Sequence, residues 1–219
     1  MPTTNTYTSL TDEAGCDAYL ASHIDPEGDY LYRLYRATNI HTIHGRMASG
    51  HLQGRLLKML VQMIRPKNIL EVGTFSGYSA ICMVEGLEED GKLYTFEIND
   101  EMEDFTRPWI EGSPVADKID FRIGDAAEEA PKLGILFDMA FVDGDKRYYT
   151  EGYEKLLPII RPGGYILADN TLWDWHVIDP AYDHDQQTIG IRHFNDFIAK
   201  DDRIEKVILP LRDGLTLIR

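Results

Sequence analysis

Positive charge is scarce in this sequence: 22 Lys and Arg stand against 37 Asp and Glu, a formal net charge of −15 over 219 residues. Nucleic-acid binding draws most of its affinity from basic contacts to phosphates, so this balance weighs against a phosphate-rich partner. Cysteine is nearly absent as well. Cys16 and Cys82 show neither a pairing pattern nor metal-ligand spacing, which leaves two reduced thiols, the second on an apolar helix and part of the core. Long hydrophobic runs are missing. No segment approaches the ~20 apolar residues that span a bilayer, and the start, MPTTNTYTSLTDEAGCDAYL, has no basic region followed by an apolar run. The expectation is a cytoplasmic protein with no membrane partner. Its length suits one complete α/β domain and is too short for two of ordinary size.

What is present is an alternation of strands and helices. The first ~25 residues are polar and weakly patterned, an arm or a short helix. Helical apolar spacing begins at Tyr30 and runs through LYRLYRATNIHTIH. A second helix, Gly50 to Ile64, carries the stripe Leu52, Leu56, Leu57, Leu60, Val61 and Ile64, and Pro66 stops it. Residues 1–65 thus read as an N-terminal helical arm and 66–219 as the core. From there come NILEVG, a helix from about Ser76 to Leu87, KLYTFE, a helix near Asp100 to Glu111, IDFRIG and a short helix. MAFVDG, a helix near Tyr149 to Ile160, YILADN and a helix near Ile191 to Lys200 follow. Near-continuous apolar strands of this kind imply a parallel sheet covered on both faces. RIEKVILPL and GLTLIR, joined at Arg212-Asp213, must pair as a hairpin, which adds one antiparallel strand near the sheet edge. The fold class is therefore a Rossmann-like, doubly wound, seven-stranded α/β sheet.

The turn LEVGTFSGYSA (Leu70 to Ala80) also lacks something. A dinucleotide-binding turn has a middle glycine that lets the backbone approach a pyrophosphate, and here Phe75 fills that space. Gly73 and Gly77 still permit a sharp turn from strand to helix. Glu97 closes a second strand about 20 residues later, where an acid can accept both ribose hydroxyls. Glu71, at the end of the first strand, would face an ammonium. A ribose acceptor together with an ammonium acceptor describes S-adenosylmethionine better than NAD. Strand-end acids Asp143 and Asp169, with Asn170, extend the same rim, which reads as a nucleoside site beside a divalent metal. Alone, such an Asp is often only a helix cap. His41, His44 and His51 could suggest zinc, yet no fourth ligand has suitable spacing. Tyr148 and Tyr149 read as packing residues, and Trp173, Trp175 and Tyr182 as a substrate wall or as cover for the core.

Five segments, MASGHLQG, LEVGTFSGYSA, IGDA, FVDGDKRYY and RPGGYILADNTLW, lie in order between Met47 and Trp173. On these the chain resembles the class I S-adenosylmethionine-dependent O-methyltransferases of the caffeoyl-coenzyme A and catechol type, over roughly Met47 to Arg219. The resemblance implies that Ser49, Glu71, Gly73, Thr74, Ser79, Glu97 and Ala126 contact the cofactor, with Asp125 near the adenine and Asp145 close to cofactor and substrate. It implies that Asp143, Asp169 and Asn170 ligate a divalent metal, Mg²⁺ or else Ca²⁺ or Mn²⁺, and that Lys146 acts as base, its pKa depressed by the nearby cation. Asp143 is then part of the catalytic set, and the acceptor is a phenolic or vicinal dihydroxy small molecule. A homodimer is expected, as in many family members. Two departures stand out. Gly144 occupies a position where the family often has Ala, and SGHLQG replaces the usual acidic version of that segment. Competing readings are a tRNA hydroxyuridine O-methyltransferase, which the acidic charge opposes, and a non-catalytic S-adenosylmethionine-binding protein, which the metal residues and Lys146 oppose. A dehydrogenase on a related sheet is opposed by Phe75.

Overall fold

The computed structural model describes residues 13–219. Of the expected arm or helix in the first ~25 residues, only the part from residue 13 falls within them, and the rest lies outside. In chain order the elements are α1 (Glu13–His23), α2 (Asp29–His41), α3 (Gly50–Ile64), β1 (Asn68–Val72), α4 (Tyr78–Val84), β2 (Lys92–Glu97), α5 (Glu103–Glu111), β3 (Ile119–Ile123), α6 (Ala126–Glu129), β4 (Phe137–Val142), α7 (Tyr149–Leu156), β5 (Ile160–Asp169), α8 (Gln186–Lys200), β6 (Lys206–Leu209) and β7 (Leu215–Ile218).

The strands form one seven-stranded sheet in the order β3-β2-β1-β4-β5-β7-β6. All neighbours from β3 to β5 pair in parallel, and β7 runs antiparallel to both β5 and β6. Strand order reverses between β1 and β4, so a crevice opens at their carboxyl ends, where sheets of this kind bind ligands.

Consecutive strand residues point to opposite faces, and both faces are apolar. Leu70, Ala140, Val142 and Ile166 pack under α7 and α8 with Tyr149, Tyr153, Phe194 and Ile198. Ile69, Met139, Phe141 and Leu167 pack on the other side with Leu57 and Val61 of α3 and Ala80 and Met83 of α4. A third cluster seats Leu31 and Leu34 of α2 on Tyr78, Ile81 and the buried Cys82 of α4.

Several boundaries differ from the periodicity reading, each for a local reason. α2 stops at His41 instead of His44 because Thr42 is extended and turns its hydroxyl back onto the Thr38 carbonyl. α4 begins at Tyr78 because Gly77 takes a left-handed conformation, and it ends at Val84. Asp100–Met102 is a 3₁₀ turn capped by Asn99, so α5 begins only at Glu103. α8 begins at Gln186, five residues before the apolar stripe, because the Asp185 carboxylate accepts from the Thr188 amide. β5 begins at Ile160. Phe137 pairs with Ile160 and Met139 with Tyr165, so Arg161–Gly164 bulge out of the ladder. The β6–β7 connection is longer than a two-residue turn and carries Arg212 and Gly214 at positive φ.

α8 approaches the 3₁₀ turn Lys146–Tyr148 closely through Gly190, where a Cβ would overlap the Lys146 carbonyl oxygen and lie 2.7 Å from Arg147 Cα. Alanine is intrinsically better than glycine in a helix by about 1 kcal/mol. Gly190→Ala is nevertheless expected to destabilise the protein by about 1–3 kcal/mol through overpacking against backbone. Thermal melts of the two proteins check this, and an unchanged or raised Tm would contradict the close approach.

Candidate active site

The loop after β1 folds tightly because of two glycines and one phenylalanine. Gly73 has φ +89, and a Cβ there would overlap the Asp143 carbonyl, so only glycine brings the loops after β1 and β4 together. Phe75 has φ +48, and its amide donates to Glu97 Oε2 at 2.7 Å. The Asn99 amide donates to Oε1 at 2.9 Å. Two backbone donors thus fix the buried Glu97 carboxylate at the end of β2.

Glu71 is fully buried at the end of β1. It accepts from Ser79 Oγ at 2.6 Å and Thr95 Oγ1 at 2.5 Å, and Thr74 Oγ1 lies 2.6 Å from Thr95 Oγ1. Burial pushes Glu71 up to about 8; the two hydroxyls oppose the shift, and the charges of Asp143 and Glu97 add to it.

At the ends of β4 and β5, Lys146 Nζ donates to Asp143 Oδ1 at 2.6 Å, and Lys146 is buried. Burial alone would lower the Lys146 ammonium. Asp143, the Tyr149 hydroxyl and Asp169 outweigh that and hold it above its ordinary value. The depressed value expected beside a cation belongs to the site with the cation bound; in this chain's own charge set the nearest partner of Lys146 is a carboxylate. Asp169 is also buried, and desolvation followed by the charge of Asp143 pushes it upward. Gln53 Nε2 donates to Asp169 Oδ2 at 2.7 Å, and Arg212 Nη1 donates to Gln53 Oε1 at 2.7 Å. Asn170, at φ +57, donates its Nδ2 to Asp213 Oδ2 at 2.7 Å, and its amide oxygen takes no hydrogen bond among the described residues. Gln53, Arg212 and Asp213 therefore position the expected donor set, and nothing in their spacing announced it.

A cleft of about 1000 Å³ lies above these strand ends. Of the expected residues it is lined by Gly73, Glu97, Asp125, Ala126, Asp143, Asp145 and Lys146. Ser49, Glu71, Thr74, Ser79 and Asp169 are buried and do not line it, and neither does the half-buried Asn170. Ser49 immediately precedes α3, and its carbonyl accepts from Arg212. Asp125 caps α6 by accepting from the Ala127 amide, and Asp145 pairs with Arg147. Among the described residues there is no group of three or more His, Cys, Asp or Glu side chains placed to hold a metal, so His41, His44 and His51 form no zinc site. No helix there is long and apolar enough to cross a membrane.

The aromatic residues divide. Tyr149 is buried and donates to the Val142 and Asp169 carbonyls, both at 3.1 Å, as a packing residue should. Tyr148 does not pack: it stands 60% exposed at the cleft, because it ends a 3₁₀ turn whose partner face belongs to Lys146. Trp173 lines the cleft, whereas Tyr182 stacks on His176 at 3.5 Å. Trp173, Asp174 and Trp175 all have positive φ, at a cost of about 1–2 kcal/mol per residue. Arg192 of α8 holds this segment. It donates to the carbonyls of Val177 at 2.9 Å, His176 at 3.0 Å and Asp179 at 2.8 Å, and pairs with Asp183 at 2.6 Å.

A switch-point cleft rimmed by acids, on a sheet with an antiparallel seventh strand, defines a Rossmann-like methyltransferase. The model of the O-methyltransferase family matches residues 21–219. Tricin synthase 2 of Oryza sativa subsp. japonica is 38% identical over 207 residues, covering 88% of this chain and 70% of that protein. Caffeoyl-CoA O-methyltransferase 1 of Zea mays is 40% identical over 188 residues, 79% of this chain and 71% of that one. The SAH-bound methyltransferase PaMTH1 of Podospora anserina superposes with a TM-score of 0.87 at 26% identity, covering 100% of this chain and 97% of its own. The chain belongs to the O-methyltransferase family, in its caffeoyl-CoA type, and is an S-adenosylmethionine-dependent O-methyltransferase.

Two measurements test the site as described. An acid whose proton is held more tightly in the folded state contributes stability that is complete below its unfolded value and is lost as pH rises through its folded value. For Glu71 that window runs from its ordinary 4.5 to about 8. Glu71→Gln without ligand should match the wild-type Tm near pH 4.5 and exceed it increasingly up to pH 8; parallel curves would show that Glu71 ionises freely. Separately, Arg192→Ala should open 173–182 to chymotrypsin while leaving S-adenosylmethionine affinity unchanged. An unaltered digestion pattern would mean that the segment holds its strained backbone without Arg192.

Proposed function

We propose that this enzyme methylates one hydroxyl of a catechol-like or other vicinal dihydroxy compound. In this reading transfer depends on a divalent cation held by Asp143, Asp169 and Asn170, Mg²⁺ ahead of Ca²⁺ or Mn²⁺, with Lys146 as the base. The observation that carries the reading is the convergence of two carboxylates, an uncommitted amide oxygen and a buried lysine at the ends of β4 and β5. The donors are hard oxygens of the kind Mg²⁺ takes. The donor set also needs positive charge, because Asp143 raises the proton affinity of the buried Asp169, and a cation between them would relieve that cost. When bound, the ion would acidify the acceptor hydroxyl and orient it toward the methyl group.

The remaining steps belong to the chain. Asp143, once shared with a cation, attracts the Lys146 ammonium less. The Lys146 ammonium would then release one proton to solvent, and the free amine would take the proton of the acceptor hydroxyl. Lys146 keeps its place through its amide, which donates to Gln187 Oε1 at 3.0 Å, and through the packing of α8. Trp173 and Tyr148 would flank an aromatic acceptor.

For the cofactor, S-adenosylmethionine supplies a methyl group activated by its sulfonium. Glu97, held by two backbone donors, suits its ribose hydroxyls. Glu71, buried without a cationic partner, suits its ammonium. Asp125 is assigned to the adenine side, and Ser49, Gly73, Thr74, Ser79, Ala126 and Asp145 to the remaining contacts. The reading extends to a cytoplasmic homodimer, which the exposed Met59 and Met63 on the outer face of α3 would serve.

Chelation should abolish turnover while leaving S-adenosylmethionine affinity nearly intact, and Mg²⁺ should restore activity. Lys146→Met should lower kcat by roughly 10²–10⁴ with little change in metal binding by calorimetry. A vicinal diol should outperform its mono-hydroxy analogue. Full activity in excess chelator, or equal rates for both acceptors, would overturn the mechanism.

A further inference from the structure

Relatives of this chain carry names that specify caffeoyl-CoA, an acceptor whose carrier bears several phosphates. Such a carrier needs cations near the site, and the described residues lining this cleft offer none that is free. Among them are only two lysines, Lys146 and Lys155, and no arginine. Lys146 Nζ is committed to Asp143 at 2.6 Å and Lys155 Nζ to Glu128 at 2.5 Å. Arg147, next to the cleft, is folded onto Asp145. Glu101, Asp125 and Glu151, by contrast, line the cleft, are exposed, and have no ion-pair partner among the described residues. With a whole-chain charge of −15, the field at the mouth repels anions.

We propose, resting on the vicinal dihydroxy reading above, that the acceptor is a small aromatic diol with a neutral or ammonium-bearing tail, and that the enzyme discriminates against acceptors carrying carboxylates or phosphates, coenzyme A thioesters included. Recognition of the ring falls to Trp173 and Tyr148, which are indifferent to the tail. Selection against the tail is electrostatic and acts on encounter and binding. Its mark is therefore in kcat/KM and in salt dependence, since charges farther apart than the Debye length, about 10 Å at 0.1 M salt, are screened.

The test uses the full chain with Mg²⁺ and saturating S-adenosylmethionine against four acceptors: 4-methylcatechol, 3,4-dihydroxyphenethylamine, 3,4-dihydroxybenzoate and caffeoyl-CoA. Expected is a kcat/KM about tenfold or more higher for the first two than for the last two at low salt. Raising the salt should narrow that gap from both sides, by lowering the value for the amine and raising it for the anions. The double variant Glu101→Gln with Glu151→Gln should narrow it in the same direction while 4-methylcatechol is turned over as before. A preference for caffeoyl-CoA or 3,4-dihydroxybenzoate over 4-methylcatechol overturns this proposal alone and leaves the dihydroxy reading standing. A ranking that neither salt nor the double variant alters also overturns it. Turnover of none of the four overturns the dihydroxy reading, and this proposal with it.

Discussion

The burial of carboxylates beside other carboxylates at neighbouring strand ends is the constraint on which the rest of this structure depends. Glu71, Glu97, Asp143 and Asp169 lie at the ends of β1, β2, β4 and β5; burial first, and then the charge of Asp143, raises the proton affinity of Glu71 and of Asp169, with Glu97 adding to it at Glu71. Alone the arrangement is costly, because buried charges need partners. The chain meets part of the cost with hydroxyls on Glu71, backbone amides on Glu97, Lys146 on Asp143 and Gln53 on Asp169. What remains is a demand for positive charge, and a sulfonium cofactor with an ammonium group is suited to meet it.

The scaffold holds the acids in place by backbone devices. Gly73 lets the β1 and β4 loops touch, and Gly190 lets α8 press on the turn that carries Lys146. Apart from Arg65, which ends α3, the positive-φ residues other than glycine among the described residues gather around the same rim, at Phe75, Asn170, Trp173, Asp174, Trp175 and Arg212. Strained conformations of this kind persist where surrounding contacts over-determine them. Those contacts are visible here as the Phe75–Glu97 bond, the Asn170–Asp213 bond and the four-way grip of Arg192.

Much of this was legible in the order of residues. The apolar runs NILEV, KLYTFE, FDMAFV and YILAD are buried on both faces, and a short near-continuous apolar run is what such a strand requires. Gly73 and Gly77 marked a turn, the replacement of the middle glycine by Phe75 weighed against a pyrophosphate, and acids at strand ends marked the rim. Helix boundaries were less legible. Thr42, Asp185 and the Arg161–Gly164 bulge act through hydrogen bonds to particular backbone groups, which hydrophobic spacing does not encode.

By itself, the sequence determined the sheet, the strand-end chemistry and the family, because short apolar runs and glycine turns are local properties read within a few residues. Only the tertiary structure decided which of the named acids line the cleft and which do not, that Lys146 is paired with Asp143, and that Tyr148 lies open while Tyr149 is buried. It alone joined Gln53 to Asp169 and Arg212 to Gln53, each across more than a hundred residues of chain, and Arg192 to the Trp173 segment. The physical reason is that hydrogen bonds and charge pairs depend on distance in space, and the strand order β1-β4-β5-β7 makes neighbours of segments that no local pattern connects.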